Sequence, residues 1–273
     1  MKSVITMCIF LFIFMQGSLS TLWGKEQKSD SSQFYFIQIS DTHFGERDHY
    51  LRIRKVIDEI NQLPVKIEFV ALTGDIVADR IDKSEVLDHV FKEMNRLTVP
   101  IHYLPGNHDI LFNKFVAFNL KKTRNIYRQK FGPLLTTQLY HNVNFIFMYT
   151  EPLAKDFKLE GYNPLKELQN QLDKLDQKPV ILCHHRPSVK DFYLNRFHKS
   201  WKKSFRKQWI ELLNQHNVKA VIAGHFHRDE LHWLGNIPLF ISPPVSGYRG
   251  RQSTFRIYEY KKGQVSYRTQ YVQ

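Results

Sequence analysis

Apolar residues recur along the chain in short blocks whose spacing alternates between that of a strand and that of a helix. Residues 33–40 are rich in aromatic and β-branched side chains and predict a strand, and the apolar positions over 50–63 repeat at helical spacing. The same patterns predict further strands at 68–73, 101–104, 144–149, 180–183 and 218–223, and helices at 82–97, 164–175 and 199–216. This alternation indicates an α/β fold class.

The last fifth of the chain has a different character. Between 231 and 272, short β-prone runs are joined by turns that contain Gly, Pro or Asn. No sequence repeat and no Gly/Ser-rich linker divides the chain. We therefore expect a single domain over residues 34–273, long enough to enclose a full hydrophobic core.

The N-terminus has the pattern of a targeting segment. Lys2 precedes an apolar run over 4–15, which is shorter than the ~20 residues that span a bilayer as a helix. Small residues at 18 and 20 match a cleavage site, so the pattern predicts a signal peptide over 1–20 and a polar leader over 21–33. We expect a secreted or periplasmic protein, and an uncleaved membrane anchor is the alternative.

Composition narrows the classes of function. Hydrophobic residues make up 42% of the 273 residues, which excludes a disordered chain, and two cysteines are too few for a disulfide scaffold or a Cys-rich zinc module. Lys and Arg number 39 against 26 Asp and Glu, so the formal net charge is +13. That excess favours anionic partners, which include a phosphorylated substrate, an anionic membrane surface and nucleic acid.

The residues that can bind metals or transfer protons follow the predicted strands. Ligand sites in open α/β sheets gather at the carboxyl ends of strands. Alternate residues of an extended segment share a face, so Asp41 and His43 can address one point, as can His225 and His227. Five such motifs occur, namely Asp41-Thr42-His43, Gly74-Asp75, Gly106-Asn107-His108-Asp109, His184-His185 and Gly224-His225-Phe226-His227.

In this order the five motifs resemble those of the calcineurin-like metallophosphoesterase superfamily, from about residue 34 to residue 227. The resemblance implies a four-layer α/β-β/α sandwich of two mixed sheets, with a two-metal site on the loops between the sheets. It also implies an enzyme that hydrolyses phosphomonoesters or phosphodiesters through a hydroxide that bridges the two metal ions.

The resemblance further implies roles for individual residues. Asp75 would bridge the two metals, and His108 would be the catalytic residue that acts on the substrate from outside the metal sphere. The pattern leaves open whether His184 or His185 binds a metal; we take His184, the residue directly after the apolar run. The implied metal ligands are Asp41, His43, Asp75, Asn107, His184, His225 and His227.

The chemistry of these residue types agrees with a two-metal site. Imidazole and carboxylate ligands suit Mn, Fe and Zn, and do not choose among them. Two ions that share a carboxylate lie ~3.5–4 Å apart, clamp phosphoryl oxygens and lower the pKa of a bound water. In the purple acid phosphatase branch a tyrosine three residues after the bridging aspartate binds iron; Ala78 stands at that position, so that branch is not expected.

Other signals admit two interpretations each. Residues 186–207 hold eight basic residues against one acidic residue, which indicates either an electropositive rim for polyanions or the solvated face of a helix. The apolar segment 110–120 is a substrate lid, a lipid-contacting patch or an amphipathic helix packed on the core. Histidines outside the motifs, among them His49 and His198, are expected to be ordinary surface or core residues. The candidates for substrate contact are His185, Arg186, Asp109 and Arg249.

The leading hypothesis is thus a secreted, binuclear-metal phosphoesterase. One alternative is a non-catalytic protein that binds phosphate or an anionic membrane on the same fold, although binding alone would not require every motif residue. The other alternative is binding of a nucleic-acid backbone through residues 186–207, which needs only positive charge and predicts a steep salt dependence.

Overall fold

Six helices and eleven strands lie within the residues that the computed structural model describes, which are 33–46, 49–112, 117–196, 198, 200–247 and 251–273. The helices are α1 (His49–Asn61), α2 (Ser84–Met94), α3 (Ala117–Lys130), α4 (Glu151–Ala154), α5 (Pro164–Leu175) and α6 (Lys203–Asn214). The strands are β1 (Gln33–Ile39), β2 (Ile67–Thr73), β3 (Ile101–Leu104), β4 (Leu135–Tyr140), β5 (Val143–Met148), β6 (Val180–Cys183), β7 (Val218–Ala223), β8 (Glu230–Leu234), β9 (Ile237–Ile241), β10 (Ser253–Lys261) and β11 (Gln264–Val272).

The strands form two mixed sheets. The first has the order β11-β10-β1-β2-β3, in which β1, β2 and β3 are parallel and the two C-terminal strands are antiparallel. The second has the order β4-β5-β6-β7-β9-β8, with β5, β6, β7 and β9 parallel and an antiparallel strand at each edge. In each sheet the parallel strands therefore end at one common edge.

Three apolar layers hold the fold together. Between the sheets, the fully buried ring of Phe36 stacks on Phe69 with 5.2 Å between ring centroids and meets Phe145 of the other sheet edge-on at 5.0 Å. Helices α1 and α2 cover the outer face of the first sheet, and α5 and α6 cover that of the second. The predicted four-layer α/β-β/α sandwich of two mixed sheets is confirmed.

The predicted strands before residue 224 all occur to within one residue of the expected bounds, whereas three elements, strand β4 and helices α3 and α4, were not predicted. Strand β4 lies at a sheet edge with every residue at least partly exposed, so it lacks an apolar stripe. Helix α3 is dominated by basic and amide residues. Of the apolar segment 110–120, Ile110 joins the core and Phe112 stacks on Phe157 at 4.0 Å, while residues 113–116 lie outside the described ranges.

Across the described part of the chain, no helix combines the length and the apolar character needed to cross a membrane. The predicted signal peptide, the leader as far as residue 32 and the candidate contact Arg249 lie outside the described residues.

Candidate metal centre and active site

The predicted site residues converge between the two sheets. Asp41, Asp75 and Asn107 follow the adjacent parallel strands β1, β2 and β3, and His185 and His225 follow β6 and β7. Backbone hydrogen bonds tie these loops together: the His43 N–H donates to the Asp75 carbonyl at 3.0 Å, and the Gly224 N–H donates to the His185 carbonyl at 3.0 Å. Polar donors from both sheets thus meet at one point.

Asp41, His43 and His227 form the first cluster of metal-capable atoms, with all three ligand atoms within 4.8 Å of one another. Asp41 Oδ1 lies 3.1 Å from His227 Nε2, and His43 Nε2 lies 3.4 Å from the same atom. The second carboxylate oxygen of Asp41 accepts the backbone N–H of His225 at 3.1 Å, which fixes the carboxylate orientation. The structure therefore brings three of the predicted metal ligands together.

Asp75, His185 and His225 form the second cluster, again within 4.8 Å. His185 Nε2 lies 3.0 Å from Asp75 Oδ2, and His43 Nε2 of the first cluster lies 3.9 Å from that same oxygen. The Asp75 carboxylate consequently stands between the two clusters, in the position that a bridging ligand needs.

The choice of His184 over His185 as a ligand disagrees with this geometry and is corrected. His184 is fully buried with its ring packed against the indoles of Trp201 and Trp209, at centroid distances of 5.6 and 5.5 Å. Burial, assisted by the charge of His185, lowers the pKa of His184 to about 3, so its ring is a neutral part of the core.

His185 has the features of an oriented metal ligand. Its Nδ1–H donates to the backbone carbonyl of Thr73 at 2.8 Å, which leaves Nε2 directed at Asp75. Metal-binding histidines commonly donate their other ring N–H to a carbonyl or a carboxylate in this way. His185 therefore belongs with the metal-capable donors, although the sequence pattern assigned it only to the pocket wall.

Asn107 and Arg186 face each other at the edge of the second cluster. The Arg186 guanidinium donates from Nη2 to Asn107 Oδ1 at 3.0 Å and from Nη1 to His225 Nε2 at 2.5 Å. Its Nε donates to Glu151 Oε1 at 2.8 Å, and Glu151 is buried at the start of α4. Arg186 was predicted near the site, whereas no motif in the sequence pointed to Glu151.

His108 stands at the mouth of the site beside a carboxylate that sequence analysis missed. His108 Nδ1 lies 2.8 Å from Asp79 Oδ1, and its Nε2 lies 3.9 Å from Asp75 Oδ2. Burial alone would lower the pKa of His108, but the hydrogen bond that His108 donates to Asp79 and the charges of Asp75 and Asp79 outweigh burial and raise the pKa to about 9. The imidazolium form is favoured, as a proton donor requires.

Asp109 does not contact the substrate region, which corrects its prediction as a substrate contact. The carboxylate is completely buried and accepts the backbone N–H groups of Gly106, Ile76 and Val77 at 2.8, 3.2 and 3.0 Å. Burial and the nearby charge of Asp75 raise the pKa of Asp109 to about 6 despite these three donors. Asp109 instead braces the loops that carry Asp75 and Asn107.

The protonation of Asp41, Asp75 and His225 suits metal binding. His185 differs: burial would lower its pKa, but the charge and hydrogen bond of Asp75 outweigh burial and raise it to about 9, so a metal ion must displace a proton there. Burial would raise the pKa of Asp41, but the charge and hydrogen bond of His227 outweigh it and lower the pKa. For Asp75, burial is likewise outweighed by the charge and hydrogen bond of His185 and by the charges of His108 and His43, so its pKa also lies below the ordinary value. Burial, reinforced by the charge of Arg186, lowers the pKa of His225. Ionised carboxylates beside a neutral imidazole are the ligand forms that divalent metals require, so the donor set fits such ions.

The backbone around these donors is held in an uncommon conformation. Asp41, His43, Asp75, His225 and His227 all have positive φ, between 47° and 71°. Non-glycine residues in this left-handed region cost on the order of 1–3 kcal/mol each and persist where the surrounding structure enforces them. Such residues cluster at functional sites, and their concentration on the predicted ligands supports a functional role for this point of the fold.

Gly106 and Gly224 lie so close to the carboxylates of Asp75 and Asp41 that neither position has room for a side chain. A Cβ atom at Gly106 would overlap the Asp75 carboxylate, and one at Gly224 would overlap the Ser40 hydroxyl and approach Asp41 Oδ2 to 2.7 Å. A glycine at each position lets backbone lie directly against a buried carboxylate.

An open cavity gives access to the donors. Its wall includes His198 and Asn195 from the loop before α6, and Arg228 and Arg251 from the segments that follow β7 and precede β10. His198 was expected to be an ordinary residue, but its Nδ1 lies 2.6 Å from Asp191 Oδ2 and its ring stacks on Phe226 at 4.7 Å, which holds it at the wall. The fold of the loop before α6 brings His198 to the cavity wall. Sequence analysis could not predict this position, because no motif lies near His198 in the sequence.

Comparison with known proteins agrees with this geometry. Residues 34–229 match the family model described as calcineurin-like phosphoesterase. The chain is 23% identical to the mouse serine/threonine-protein phosphatase CPPED1 over 265 residues, which cover 86% of this chain and 83% of that protein. It is 28% identical to the probable glycerophosphodiester phosphodiesterase GpdQ of Arcobacter nitrofigilis over 214 residues, which cover 70% and 71% of the two chains.

Among solved structures, a dimetal phosphatase from Danio rerio superposes with a TM-score of 0.60. It is 15% identical, and the match covers 88% of this chain and 99% of that one. At this identity the likeness concerns the fold, which agrees with the two-sheet sandwich described above.

Proposed function

Because the chain belongs to the calcineurin-like phosphoesterase family, we propose that it hydrolyses phosphoester bonds with metal ions held by the two donor clusters. The observation that carries this proposal is the position of Asp75. Its Oδ2 lies 3.0 Å from His185 Nε2 and 3.9 Å from His43 Nε2, so one carboxylate serves both clusters. Two metals that share a ligand are the arrangement used for displacement at phosphorus.

The donors divide between two ions. Asp41, His43 and His227 would hold the first ion and Asp75 would bridge to the second, which His185, His225 and Asn107 would complete. When bound, such ions polarise the phosphoryl oxygens and lower the pKa of a water at the site. Mn, Fe and Zn all accept this set of imidazole, carboxylate and amide ligands.

His108 supplies the proton that hydrolysis needs. Cleavage breaks the bond between phosphorus and the leaving oxygen and forms one to a water oxygen; the water gives up a proton to the solvent, and an alkoxide leaving group must gain one. His108 Nδ1 pairs with Asp79, which leaves Nε2–H facing the donor clusters and available to the leaving oxygen. Asp79 is a positioning residue in this scheme, because it acts through His108.

The walls of the cavity favour an anionic substrate. Arg228 and Arg251 line it together with His198, and the chain as a whole carries a net charge of +13. The named relatives comprise a protein phosphatase and a probable phosphodiesterase, so both phosphomonoesters and phosphodiesters are substrates to be tested.

The test is hydrolysis of paired chromogenic substrates by protein stripped of metal and reloaded with Mn²⁺, Fe²⁺ or Zn²⁺. We expect p-nitrophenyl phosphate or bis(p-nitrophenyl) phosphate to be cleaved only by reloaded protein. Asp75→Asn should abolish turnover and release at least one ion by elemental analysis, because Asp75 contributes to both clusters. Asp82→Asn, which removes an exposed aspartate paired with Lys122, is the matched control. Wild-type activity and full metal content in Asp75→Asn would refute the proposed site.

A further inference from the structure

A loop beside the cavity presents three consecutive apolar side chains to solvent. Phe192, Tyr193 and Leu194 are 65, 73 and 72% exposed, which makes them the most exposed large apolar side chains in the described part of the chain. Single exposed apolar residues are ordinary, but a contiguous group marks a surface that contacts another molecule or a membrane. Leu194 also has a φ of 52°, a left-handed conformation that is unusual for leucine. The loop thus holds apolar side chains outward at a cost in both solvation and backbone conformation.

The base of this loop is held firmly to the body of the fold. The buried carboxylate of Asp191 accepts the backbone N–H of Asn195 at 2.8 Å, which closes the loop. The ring of Phe192 stacks on His232 of the edge strand β8 with 4.2 Å between centroids, and His232 Nε2 lies 2.8 Å from Glu230 Oε2. The apolar residues at 192–194, the loop tip, therefore project from a fixed support.

A basic groove lies next to the loop tip. Trp233, which follows His232 on β8, is 59% exposed and lines this groove together with Lys190, Lys203 and Arg206. None of the described residues that line the groove is acidic, and Lys190 and Lys203 are exposed to solvent. One side of the molecule therefore combines exposed aromatic and aliphatic side chains with positive charge.

This combination suits an anionic lipid bilayer. Trp and Tyr favour the boundary between membrane and water, and Lys and Arg are attracted to anionic headgroups while their stems cover apolar surface. Nucleic acid would also be attracted by the charge, but Leu194 has neither a ring on which a base could stack nor a polar group for a phosphate. A second copy of the chain would bring two basic surfaces together in a symmetric contact. A bilayer accepts both the leucine and the charges.

We propose that the loop tip inserts into the headgroup region of an anionic lipid bilayer and that Lys190 and Lys203 contact the lipid phosphates. The guanidinium of Arg228 lies 3.9 Å over the ring of Tyr193 and also lines the catalytic cavity, as does Asn195. Docking through the loop tip therefore brings that cavity next to the bilayer. The inference goes beyond the proposed hydrolysis, since lipid binding requires neither metal nor turnover.

The test is co-sedimentation of the full chain with vesicles of phosphatidylcholine alone or of equal parts phosphatidylcholine and phosphatidylglycerol. Wild type should bind the anionic vesicles at least about tenfold more tightly, and this preference should fade toward 1 M salt. Tyr193→Ser/Leu194→Asn should weaken binding to anionic vesicles at least about tenfold, because it removes apolar surface that the bilayer buries. Asparagine tolerates a positive φ, so the loop keeps its conformation.

The control for the loop tip is Leu51→Ser/Leu139→Ser. It removes two exposed leucines, one from α1 and one from β4, which lies at the opposite edge of the second sheet from β8. Its binding to anionic vesicles should stay within about twofold of wild type, since scattered exposed apolar residues form no docking surface.

A second pair of variants tests the charges. Lys190→Gln/Lys203→Gln should weaken binding to anionic vesicles at least about tenfold and leave binding to phosphatidylcholine unchanged. Lys261→Gln/Lys262→Gln removes the same charge from exposed positions at the turn between β10 and β11. This control should change binding less than about threefold, because charge far from the bilayer is screened by salt.

The outcomes separate the occupants of this surface. Absence of vesicle binding by wild type would overturn the proposal, as would equal binding by wild type and Tyr193→Ser/Leu194→Asn; the apolar run at 4–15 is common to all variants. Without vesicle binding, a single-stranded oligonucleotide bound more weakly by this variant would assign the surface to nucleic acid. Self-association in wild type that the variant loses would assign it to a second copy.

Folding and hydrolysis are measured on the same samples. Urea unfolding reports whether each variant is folded, and if Tyr193→Ser/Leu194→Asn is not, Leu194→Asn alone and the lysine variants decide the question. Vesicle binding with the expected losses but no hydrolysis of any ester would uphold the docking surface and refute the function. Hydrolysis of the chromogenic esters without vesicle binding would refute the docking surface and leave the function standing.

Discussion

The two adjacent histidines after β6 point to opposite sides of the second sheet. Leu182 packs in the helix-covered layer and Cys183 in the layer between the sheets. Side chains alternate between faces along an extended strand, so His184 continues the side of Leu182 and His185 continues that of Cys183. The metal-capable donors lie on the second of these sides, which is why one histidine reaches Asp75 and the other reaches two tryptophans.

Substitution by leucine should leave metal binding unchanged at His184 and weaken it at His185. His184→Leu replaces a neutral, buried ring by an apolar side chain of similar size, so metal content and kcat should stay within about twofold of wild type. His185→Leu removes a donor and should lower metal affinity by at least about tenfold, the scale seen even for weaker perturbations around metal sites. Elemental analysis after dialysis measures both. Loss of metal in His184→Leu with retention in His185→Leu would restore the original assignment.

Sequence alone brought most of the donors together but could not distinguish these two histidines. The strand pattern placed Asp41, Asp75 and His225 at the ends of parallel strands, and the structure agrees because such ends share an edge. The alternation rule needs one more fact, namely which face of β6 carries the site. That fact depends on how the second sheet packs on the first, and a single strand does not contain it.

The pair formed by His108 and Asp79 gives a prediction about pH. Loss of the Asp79 charge in Asp79→Asn lowers the pKa of His108 from the raised value of about 9. A step that needs the protonated ring fails as pH rises through that pKa, so the alkaline limb of kcat should move to lower pH in the variant. Metal content should not change, and His108→Asn should lower kcat ~10²–10⁴-fold below the pKa of His108, with the difference from wild type shrinking above it.

Asp82→Asn is the control for that shift, because this nearby aspartate pairs with Lys122 instead of a histidine. An unchanged alkaline limb in Asp79→Asn would mean that Asp79 does not set the protonation of His108. Release of metal from His108→Asn would mean that His108 is itself a ligand.

At the scale of elements, a buried carboxylate joins the two helices that cover the first sheet. Glu93 near the end of α2 accepts from Arg54 of α1 at 3.1 and 2.5 Å and from Arg96 at 3.0 Å. Arg96 also reaches Asp58 of α1 at 2.6 Å. The apolar faces of these helices were predictable from their spacing, whereas this ion cluster was not, because it depends on how α1 and α2 cross.

The cluster should make stability depend on pH. The hydrogen bond from Arg54 is the main reason that the pKa of Glu93 lies below its ordinary value. A lowered pKa adds stability above the ordinary value near ~4.3, and that stability is lost as pH falls through the folded-state value. Glu93→Gln should lower the free energy of unfolding by about 1–3 kcal/mol at pH 7, and the difference from wild type should shrink toward pH 3.5.

Urea unfolding at the two pH values measures this difference. Glu85→Gln removes an exposed carboxylate from the same helix and should change stability by less than about 0.5 kcal/mol at either pH. A constant difference between wild type and Glu93→Gln over this range would show that the carboxylate charge does not contribute.

Across the whole molecule, the basic run over 186–207 does not act as one surface. Arg186 turns inward to Glu151, while Lys202 pairs with Asp156 at 3.0 Å and Lys207 lies 3.7 Å from Glu211 on exposed parts of the chain. Exposed pairs of this kind contribute little net charge to a distant site. Lys202 and Lys207 agree with the interpretation as a solvated face, Arg186 belongs to neither interpretation because it is buried against Glu151, and the electropositive rim stays a prediction.

The charge that guides an anionic substrate should then come from the cavity wall and not from α6. Arg228→Gln should lower kcat/KM for a dianionic monoester about tenfold at low ionic strength, with a smaller effect on kcat, because a wall charge acts on encounter more than on the reacting bonds. The triple variant Lys202→Gln/Lys203→Gln/Lys207→Gln removes three charges but should change kcat/KM less than about threefold. The effect of Arg228→Gln should fade toward 1 M salt, where the Debye length drops to about 3 Å. A larger, salt-sensitive loss in the lysine variant would assign substrate guidance to the helix instead.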